Sequence, residues 1–325
     1  MVSAASWAGA AAALLAAMLA TACRPTTSAA SREAAPVARP AAPAARAALW
    51  IGGDVFLGAG GHAALASIAE IVSGAPGIVN LEGPVGAERG AGGHPLRLLH
   101  AAAALGELRA AGVVVAGIAN NHAGDAGAGG GAATVQALTA AGVQAAGGDA
   151  GPATIALGPL RVVVTAHDLE HGVPAGLGAE LAAARRRGDA LIATFHVTGP
   201  PSYLPRPELI DAVAIALDAG AVVVAAHGTH ELARVERRGR AVIAWGLGNL
   251  AFACACTDES SGALLEVTLG PDGANQAVND AAIVPIDAGL RGDAARASGD
   301  PGLAFELLEA LGSTQLTRHG GRAAF

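Results

Sequence analysis

The sequence predicts an α/β fold, because short apolar strands alternate with helices along most of the chain. Segments such as 113–119 and 221–227 are almost wholly apolar, which is typical of strands in a sheet covered on both faces. The segment 207–220 repeats its apolar residues every three or four positions, as an amphipathic helix does. With 52% hydrophobic residues and a net charge of −7 over 325 residues, a chain that is disordered throughout is excluded.

The predicted strands and helices follow one another in a regular order. Strands are predicted over 48–57, 77–83, 113–119, 161–167, 189–196 and 221–227, then a hairpin within 231–249 that turns at Arg238-Gly239, and two β segments within 263–287 around the turn Pro271-Asp272-Gly273. Helices are predicted over 100–112, 132–141, 179–187, 207–220 and 303–312. We therefore expect a folded domain over 47–290, followed by a C-terminal helix and tail over 291–325.

The first 46 residues differ in composition from the rest of the chain. Residues 1–22 are small and apolar and end at Cys23, as in a secretory signal with a lipobox. Residues 24–46 are rich in Pro, Ala, Ser and Arg and predict a semi-extended tether. We expect an exported, membrane-anchored lipoprotein of the cell envelope, lipidated at Cys23. A plain cleaved signal and an uncleaved anchor remain alternatives.

Composition excludes several classes of function. Aromatic residues make up only 3% of the chain, and no arginine-rich stripe is present, so a nucleic-acid partner is not expected. Every basic residue is arginine. Without lysine, the chain can form neither a Schiff base nor a P-loop phosphate site of the usual kind.

Polar and ionisable residues recur where the predicted strands end. They include two carboxylates, one amide and several imidazoles, namely Asp54, Glu82, Asn121, His122, His196, His227 and His230. Taken singly, a histidine at a strand end is more often structural than a ligand. Because ligands gather at the carboxyl ends of strands in α/β sheets, joint recurrence favours a common site. This donor set suits one or two divalent ions such as Mn²⁺, Zn²⁺ or Fe.

Six short motifs in this order resemble the CapA-type poly-γ-glutamate capsule synthesis family, which is related to calcineurin-like metallophosphoesterases. They are Gly53-Asp54-Val55, Asn80-Leu81-Glu82-Gly83, Ala119-Asn120-Asn121-His122, Thr194-Phe195-His196, His227-Gly228-Thr229-His230 and Gly246-Leu247-Gly248-Asn249. The resemblance covers about residues 48–253. It implies a layered α/β/β/α sandwich of the metallophosphoesterase type, with its site on loops at one edge of paired sheets.

The resemblance also implies roles for these residues. Asp54 and Glu82 would hold metal through their carboxylates, with Asp54 also counted as catalytic. Asn121 would be a metal-binding amide and His122 the catalytic histidine that donates a proton or stabilises the phosphoryl group. The imidazole ligands would be His196, His227 and His230.

The chain departs from the motifs of the relatives at three places, one of which is the segment Ala226-His227-Gly228-Thr229-His230, without the usual glycine and proline. Phe56 stands where they have a histidine two residues after the aspartate, which removes one metal ligand. The segment after His196 reads Val197-Thr198-Gly199, with Tyr203 further on, in place of the usual His-Trp-Gly and Glu-Tyr. Three functions therefore remain open: a CapA-like protein of envelope polymer synthesis, a general periplasmic phosphoesterase acting on phosphate esters, and a non-catalytic protein that binds a polymer or partner.

Three further features have mainly structural interpretations. The cluster His167, Asp168 and His171 is expected on a solvated loop, although it could also line the rim of the site. The arginines 185–187 end a helix, where their positive charge offsets the partial negative charge of the helix C-terminus. Cys254 and Cys256 could form a disulfide or be two small buried residues.

Overall fold

Two β-sheets lie face to face in the computed structural model, which describes residues 46–86, 96–273 and 275–325. The strands are β1 Ala47–Phe56, β2 Gly77–Leu81, β3 Val113–Gly117, β4 Gln144–Ala146, β5 Ala153–Leu157, β6 Leu160–Asp168, β7 Ala190–His196, β8 Val223–His227, β9 Val235–Arg238, β10 Ala241–Ala244, β11 Asn249–Phe252, β12 Ser261–Asp272, β13 Asn275–Asp287, β14 Gly289–Leu290, β15 Arg296–Ala297, β16 Thr317–His319 and β17 Arg322–Ala324. The helices are α1 Ile68–Ile71, α2 Gly106–Ala110, α3 Gly130–Ala140, α4 Leu177–Arg185, α5 Pro207–Asp218 and α6 Pro301–Ala310.

The larger sheet has eleven strands and the smaller has six. The larger follows the order β16-β17-β13-β12-β1-β2-β3-β4, with β11 beside β1, β14 beside β11 and β15 beside β13. The smaller follows β5-β6-β7-β8-β10-β9, in which β6, β7, β8 and β10 are parallel. The carboxyl ends of the parallel strands therefore share one edge of each sheet.

Alternation along the strands builds three apolar layers. Leu49 and Ile51 of β1 face the smaller sheet and pack in the core between the sheets. Trp50, which points to the other face, packs with α1, α2 and α3. Phe195 of β7 packs with α4 and α5 on the outer face of the smaller sheet. The layers are thus helix, sheet, sheet and helix, and the predicted α/β/β/α sandwich is confirmed.

The strands that carry the strand-end residues lie where the sequence predicts them, but other elements differ. The predicted helix 100–112 is a 3₁₀ turn, 102–105, followed by the short helix α2. Strands β4, β5 and β11, of three to five residues, are not among the strands predicted from the sequence. The strands form the two sheets that the resemblance implies, and each sheet is covered by the other on one face and by helices on the second. Residues 291–325 hold α6 and the β16–β17 hairpin, which joins the larger sheet through β13.

A close backbone approach places the end of β1 against the loop before β11. A Cβ on Gly53 would lie 2.0 Å from the carbonyl oxygen of Gly248, so only glycine fits there. This contact lets the Asp54 N–H donate to the Gly248 carbonyl at 3.0 Å. It aligns Asp54 with Asn249 in the parallel β1–β11 pair.

The predicted signal, Cys23 and nearly all of the tether lie outside the described residues. None of the helices in the part of the chain that the structure describes has the length and hydropathy needed to cross a bilayer.

Candidate metal centre

Asp54 lies near the end of β1 and is completely buried. Its Oδ1 accepts a hydrogen bond from Nδ2 of Asn80 at 2.8 Å, and its Oδ2 accepts one from the Gly228 N–H at 2.9 Å. Asn80 is the register partner of Asp54 on β2. The carboxylate is therefore held by donors from both sheets, so that each of its oxygens has a fixed direction.

Glu82 follows β2 directly and is also buried. Its Oε1 lies 3.9 Å from Nε2 of His122 and 3.8 Å from Nε2 of His230, and its Oε2 has no hydrogen-bond partner among the described residues. Burial raises the pKa of Glu82 well above its usual value, and the charges of Asp54 and Asp125 raise it further. Without a cation, this carboxylate is costly to keep ionised.

His196 and His227 end the neighbouring strands β7 and β8 and are register partners. Nδ1 of His196 lies 3.2 Å from Nδ2 of Asn80, and its Nε2 lies 2.8 Å from Oδ1 of Asn121. Burial lowers the pKa of His196 to about 3, although the charge of Asp54 opposes the change. Burial likewise lowers the pKa of His227. Both imidazoles are therefore neutral at pH 7, as a metal ligand must be.

Three of these residues form a group that could hold a metal ion. One ligand atom each from Asp54, Glu82 and His196 lies within 4.8 Å of the other two. Both ring nitrogens of His227 are buried without a partner in the described part of the chain, and Nδ1 lies 3.7 Å from Oδ1 of Asp54. Buried polar atoms seldom remain unsatisfied. The orphaned nitrogens and Glu82 Oε2, together with the mixed N/O donors, fit a divalent ion such as Mn²⁺, Zn²⁺ or Fe.

His122 stands beside this group and is oriented by Asp125. Its Nδ1 lies 2.8 Å from Oδ2 of Asp125, three residues later in the same turn. The same carboxylate oxygen accepts a hydrogen bond from the Leu98 N–H at 2.7 Å. Because Nδ1 is bound to the carboxylate, Nε2 is directed at Glu82. This arrangement suits a histidine that carries a proton at Nε2.

His230 reaches the group through an unusual backbone conformation. Its φ of 57° is left-handed, which a residue other than glycine seldom adopts. The ring is held by Oδ1 of Asn249, 2.8 Å from its Nδ1, and by an edge contact with Phe252 at 5.2 Å between centroids. Nδ1 also lies 3.5 Å from Oδ2 of Asp54. Strain of this kind persists where surrounding contacts hold it in place.

Phe56 fills an aromatic pocket instead of supplying a ligand. Its ring contacts those of His100 and Phe252, with centroids 5.1 and 5.7 Å away. His100 is buried, accepts from the Leu57 N–H at Nδ1 (3.3 Å) and lies 3.0 Å from the Glu82 carbonyl oxygen through Nε2. Burial lowers the pKa of His100 to about 4, so the ring is a neutral brace beneath Glu82.

Beyond His230, the rim of the site is acidic. Burial and a hydrogen bond with Glu259 raise the pKa of Glu231 to about 7, and Tyr203 also bonds to Glu231. The backbone carbonyl of Glu259 accepts from Nδ2 of Asn249 at 2.9 Å. The rim is thus tied to the residue that holds His230.

The strand-end residues predicted from sequence all meet at this edge. Asn121 contacts His196 instead of the carboxylates. The cluster His167, Asp168 and His171 divides, because the first two end β6 and His171 is exposed on the following loop. Cys254 and Cys256 form a disulfide, which decides between the two alternatives.

Several residues of the site have roles that sequence reasoning missed. Asn80 holds Asp54, and Asp125 holds His122. His100 contacts the backbone carbonyl of Glu82, and Asn249 holds His230. Asn80 could have been found as the residue two before Glu82, on the same face of a strand, and Asp125 as the carboxylate one turn after His122. His100 gives no such signal, since it lies far along the chain in a segment that predicts helix.

Most of the described chain matches the model of one protein family. The family is described as bacterial capsule synthesis protein PGA_cap, and the match spans residues 48–253. No curated protein matches the chain significantly.

Two solved structures are similar in fold. A hypothetical protein from Thermus thermophilus is 15% identical with a TM-score of 0.48, covering 73% of this chain and 97% of its own. The calcineurin-like phosphoesterase YfkN from Bacillus subtilis is 10% identical with a TM-score of 0.47, covering 83% and 99%. With TM-scores below 0.5, these likenesses support no activity for this chain.

Proposed function

This chain belongs to the family of bacterial capsule synthesis proteins described as PGA_cap, and we propose that it acts in the synthesis of a capsule or other envelope polymer of the poly-γ-glutamate type. The proposed activity is a metal-dependent, phosphoesterase-like reaction at the group formed by Asp54, Glu82 and His196. The observation that carries the proposal is the meeting of these three ligand atoms within 4.8 Å, deep in the fold and beside His122.

Asp54, Glu82 and His196 would hold the ion, with His227 and His230 as further imidazole donors. A divalent ion bound there would act as a Lewis acid toward a phosphoryl oxygen. Asn80 keeps Asp54 and His196 in place by contacting both. The loss of a ligand at Phe56 favours one ion over two.

His122 is the residue placed to move a proton. Asp125 binds its Nδ1 and stabilises the charged ring, so a proton held on Nε2 can pass to the oxygen of a leaving group. His122 is nearly buried, which keeps bulk water away from this proton.

The substrate must reach a site with an acidic rim. Glu231 follows His230 directly and hydrogen-bonds to Glu259, and the whole chain carries a formal charge of −7. A polyanion such as poly-γ-glutamate would be repelled unless the cation neutralises the negative groups. A phosphate ester would face the same demand, so both substrates require a loaded site.

The first experiment measures metal content and hydrolysis in the full-length protein. We expect at least one transition ion per chain, and we expect His122→Ala to lower the hydrolysis rate of an aryl phosphate about 10²-fold. His319→Ala, which changes an exposed histidine on β16, is the matched control and should keep the full rate. No metal after loading with Mn²⁺ or Zn²⁺, or an unchanged rate in His122→Ala, contradicts the catalytic proposal.

A second candidate is a non-catalytic protein that binds a polymer or partner through a degenerate site. The specific observation in its favour is Phe56, which packs on His100 and Phe252 where a ligand would stand in the relatives. A loaded protein that hydrolyses no phosphate ester yet binds the polymer would support this candidate. Hydrolysis of many phosphate esters without polymer binding would instead favour a general periplasmic phosphoesterase.

The proposed location is the cell envelope, with a lipid on Cys23 as the anchor. The support is the apolar segment 1–22 directly before this cysteine. Cys23→Ala should release the protein from membranes in fractionation, while Cys256→Ala should not. Retention of Cys23→Ala on membranes would mean that the apolar segment itself is the anchor.

A further inference from the structure

A separate cavity of about 360 Å³ lies between the end of β6, helix α4 and the loop 147–152. Of the sequence cluster His167, Asp168 and His171, only His167 lines it, and no residue of the metal group does. Its volume is that of a pocket for a small organic molecule.

Two buried polar atoms in this cavity have no partner in the described part of the chain. They are Oγ1 of Thr165, whose residue is 3% exposed, and Nε2 of His167. The backbone groups of β6 that could accept or donate here are already bonded to β7, so they cannot serve as partners for these two side-chain atoms. Leaving such groups dry in a cavity is unfavourable, which points to a polar occupant.

Charges of opposite sign line the cavity on one side. Glu180 lies on α4, and Arg187 follows it by seven residues, or about two turns. The Arg187 N–H donates to the Ala184 carbonyl in the turn that ends the helix, so both side chains are on one side of the helix. At 1.5 Å per residue they are about 10 Å apart along the axis. Arg187 forms no ion pair with any of the described residues. Oε2 of Glu180 lies 3.9 Å from Nδ1 of His167, whose pKa burial lowers, so the neutral ring leaves the glutamate charge available.

The remaining walls are small and mainly apolar. Pro152, Ala166, Ala183 and Ala184 supply them, and Gly147 lets the loop approach β6 closely. A Cβ on Gly147 would lie 2.4 Å from the Ala166 carbonyl oxygen. The cavity therefore accepts a compact backbone with small substituents.

We propose that this cavity binds a short zwitterionic peptide, with its ammonium group at Glu180, its carboxylate at Arg187 and a peptide group on Thr165 and His167. A free amino acid fits less well, because its two charges are only one carbon apart. An extended tripeptide spans about 10 Å, which matches the distance that the helix provides, and a dipeptide spans about 7 Å, a gap that the flexible side chains of Glu180 and Arg187 can close.

This site is distinct from the metal group. His167 is in register with Phe195, which packs under α4 and α5, whereas Asp168 is in register with His196. Successive residues of a strand point to opposite faces, so Thr165 and His167 face the helices and His196 faces the other sheet. The peptide would bind whether or not the metal site is loaded.

The test is isothermal titration of the full-length protein with L-alanyl-L-alanine and two analogues that each lack one charge. N-acetylation removes the ammonium group, and a C-terminal amide removes the carboxylate. We expect the dipeptide to bind, and each analogue to bind at least about 10-fold more weakly, which is 1.4 kcal/mol.

Four variants assign the contacts. Glu180→Gln should bind the dipeptide no better than its N-acetylated analogue but still better than its amide. Arg187→Gln should bind the dipeptide no better than its amide but still better than its N-acetylated analogue. Arg186→Gln, which changes the exposed neighbour outside the cavity, should bind as the wild type does. Thr165→Val should weaken binding without lowering the free energy of unfolding of the empty protein, because its hydroxyl has no partner there.

Several results would overturn the proposal. They are no binding of the dipeptide, equal binding of all three compounds, or unchanged selectivity in both charge variants. A crystal structure grown with the dipeptide that shows only ordered water on Thr165 and His167 would also overturn it.

Discussion

Two glutamates of this protein, Glu82 and Glu236, have electrostatic surroundings that shift their pKa values in opposite directions. Glu82 lies among the carboxylates of Asp54 and Asp125, where the described part of the chain places no arginine in contact with it, and burial raises its pKa. Glu236, on the β9–β10 hairpin, accepts from Nε of Arg238 at 2.6 Å and from Nε1 of Trp245 at 3.0 Å. Although burial opposes it, these hydrogen bonds and the charge of Arg238 lower the pKa of Glu236.

The difference separates a carboxylate that the fold itself satisfies from one that the fold leaves without a counter-charge. The fold itself supplies cations around Glu236, and the Arg234 guanidinium also stacks 4.7 Å from the Trp245 ring centroid. Around Glu82 the fold supplies the like charges of Asp54 and Asp125 and the imidazoles of His122 and His230. Such an arrangement costs stability by itself and is expected where a protein holds a ligand that comes from outside.

The largest expected effect is the loss of metal-dependent stability in Glu82→Gln. Metal at a hundred times its Kd should raise the free energy of unfolding of the wild type by about 2.7 kcal/mol. The variant should gain almost nothing at that metal concentration, because it lacks one anionic ligand. Denaturant unfolding with and without metal measures this gain. Glu236→Gln is the control and should keep the full gain; an equal gain in Glu82→Gln would end the distinction between the two glutamates.

The next effect concerns the positioning of His122. Asp125→Asn should lower the rate of phosphate-ester hydrolysis by roughly 10-fold, because the amide no longer stabilises the charged ring. Steady-state kinetics should show the loss in kcat, with KM little changed. Asp211→Asn, an exposed change on α5, should leave both constants as they are. A loss confined to KM would mean that Asp125 shapes the pocket and does not act through His122.

A smaller effect follows from the ion pairs of Glu236. Glu236→Gln should lower the free energy of unfolding at pH 7 by roughly 1 kcal/mol. Because the folded-state pKa of Glu236 lies below its unfolded value of 4.5, the contribution is complete above pH 4.5 and disappears as the pH falls through the folded value. Unfolding curves of wild type and variant should therefore converge in acid; a constant difference would contradict the pairing.

Metal-free Glu82 should show the opposite pH dependence. Its pKa is raised in the folded state, so the wild type loses stability as the pH rises above 4.5, where the unfolded chain releases the proton first. In chelator-treated protein, Glu82→Gln should remove this loss and unfold at higher denaturant than the wild type at pH 8. A less stable variant at that pH would mean that Glu82 is satisfied without metal.

The smallest effect is expected from Trp245→Phe. This change removes one donor to Glu236 and keeps most of the apolar contact, so about 0.5–1 kcal/mol should be lost. Thermal unfolding measures the loss. In the double variant with Glu236→Gln the two losses should not add, because they share one hydrogen bond.

Sequence reasoning located much of the site because its signals are local. A strand that ends on Asp54, or on His196, shows in the sequence as an apolar run followed by a polar residue. The same reasoning named Glu82 and His122 without knowing what lies beside them. It placed His100 in a helix and could not see that this ring supports Glu82 from below.

Local sequence patterns are enough to establish the α/β class, the order of the main strands and the residue types of the candidate ligands, since hydrophobic periodicity and turn residues act over a few positions. The folded molecule alone shows how the strands divide between the two sheets, that Asn80 and Asn249 hold Asp54 and His230, and that the cysteines pair. Those outcomes depend on strand register and on contacts between segments far apart in the chain. Which buried charge is left without a partner is likewise a property of the packed molecule, because it depends on everything that surrounds the charge.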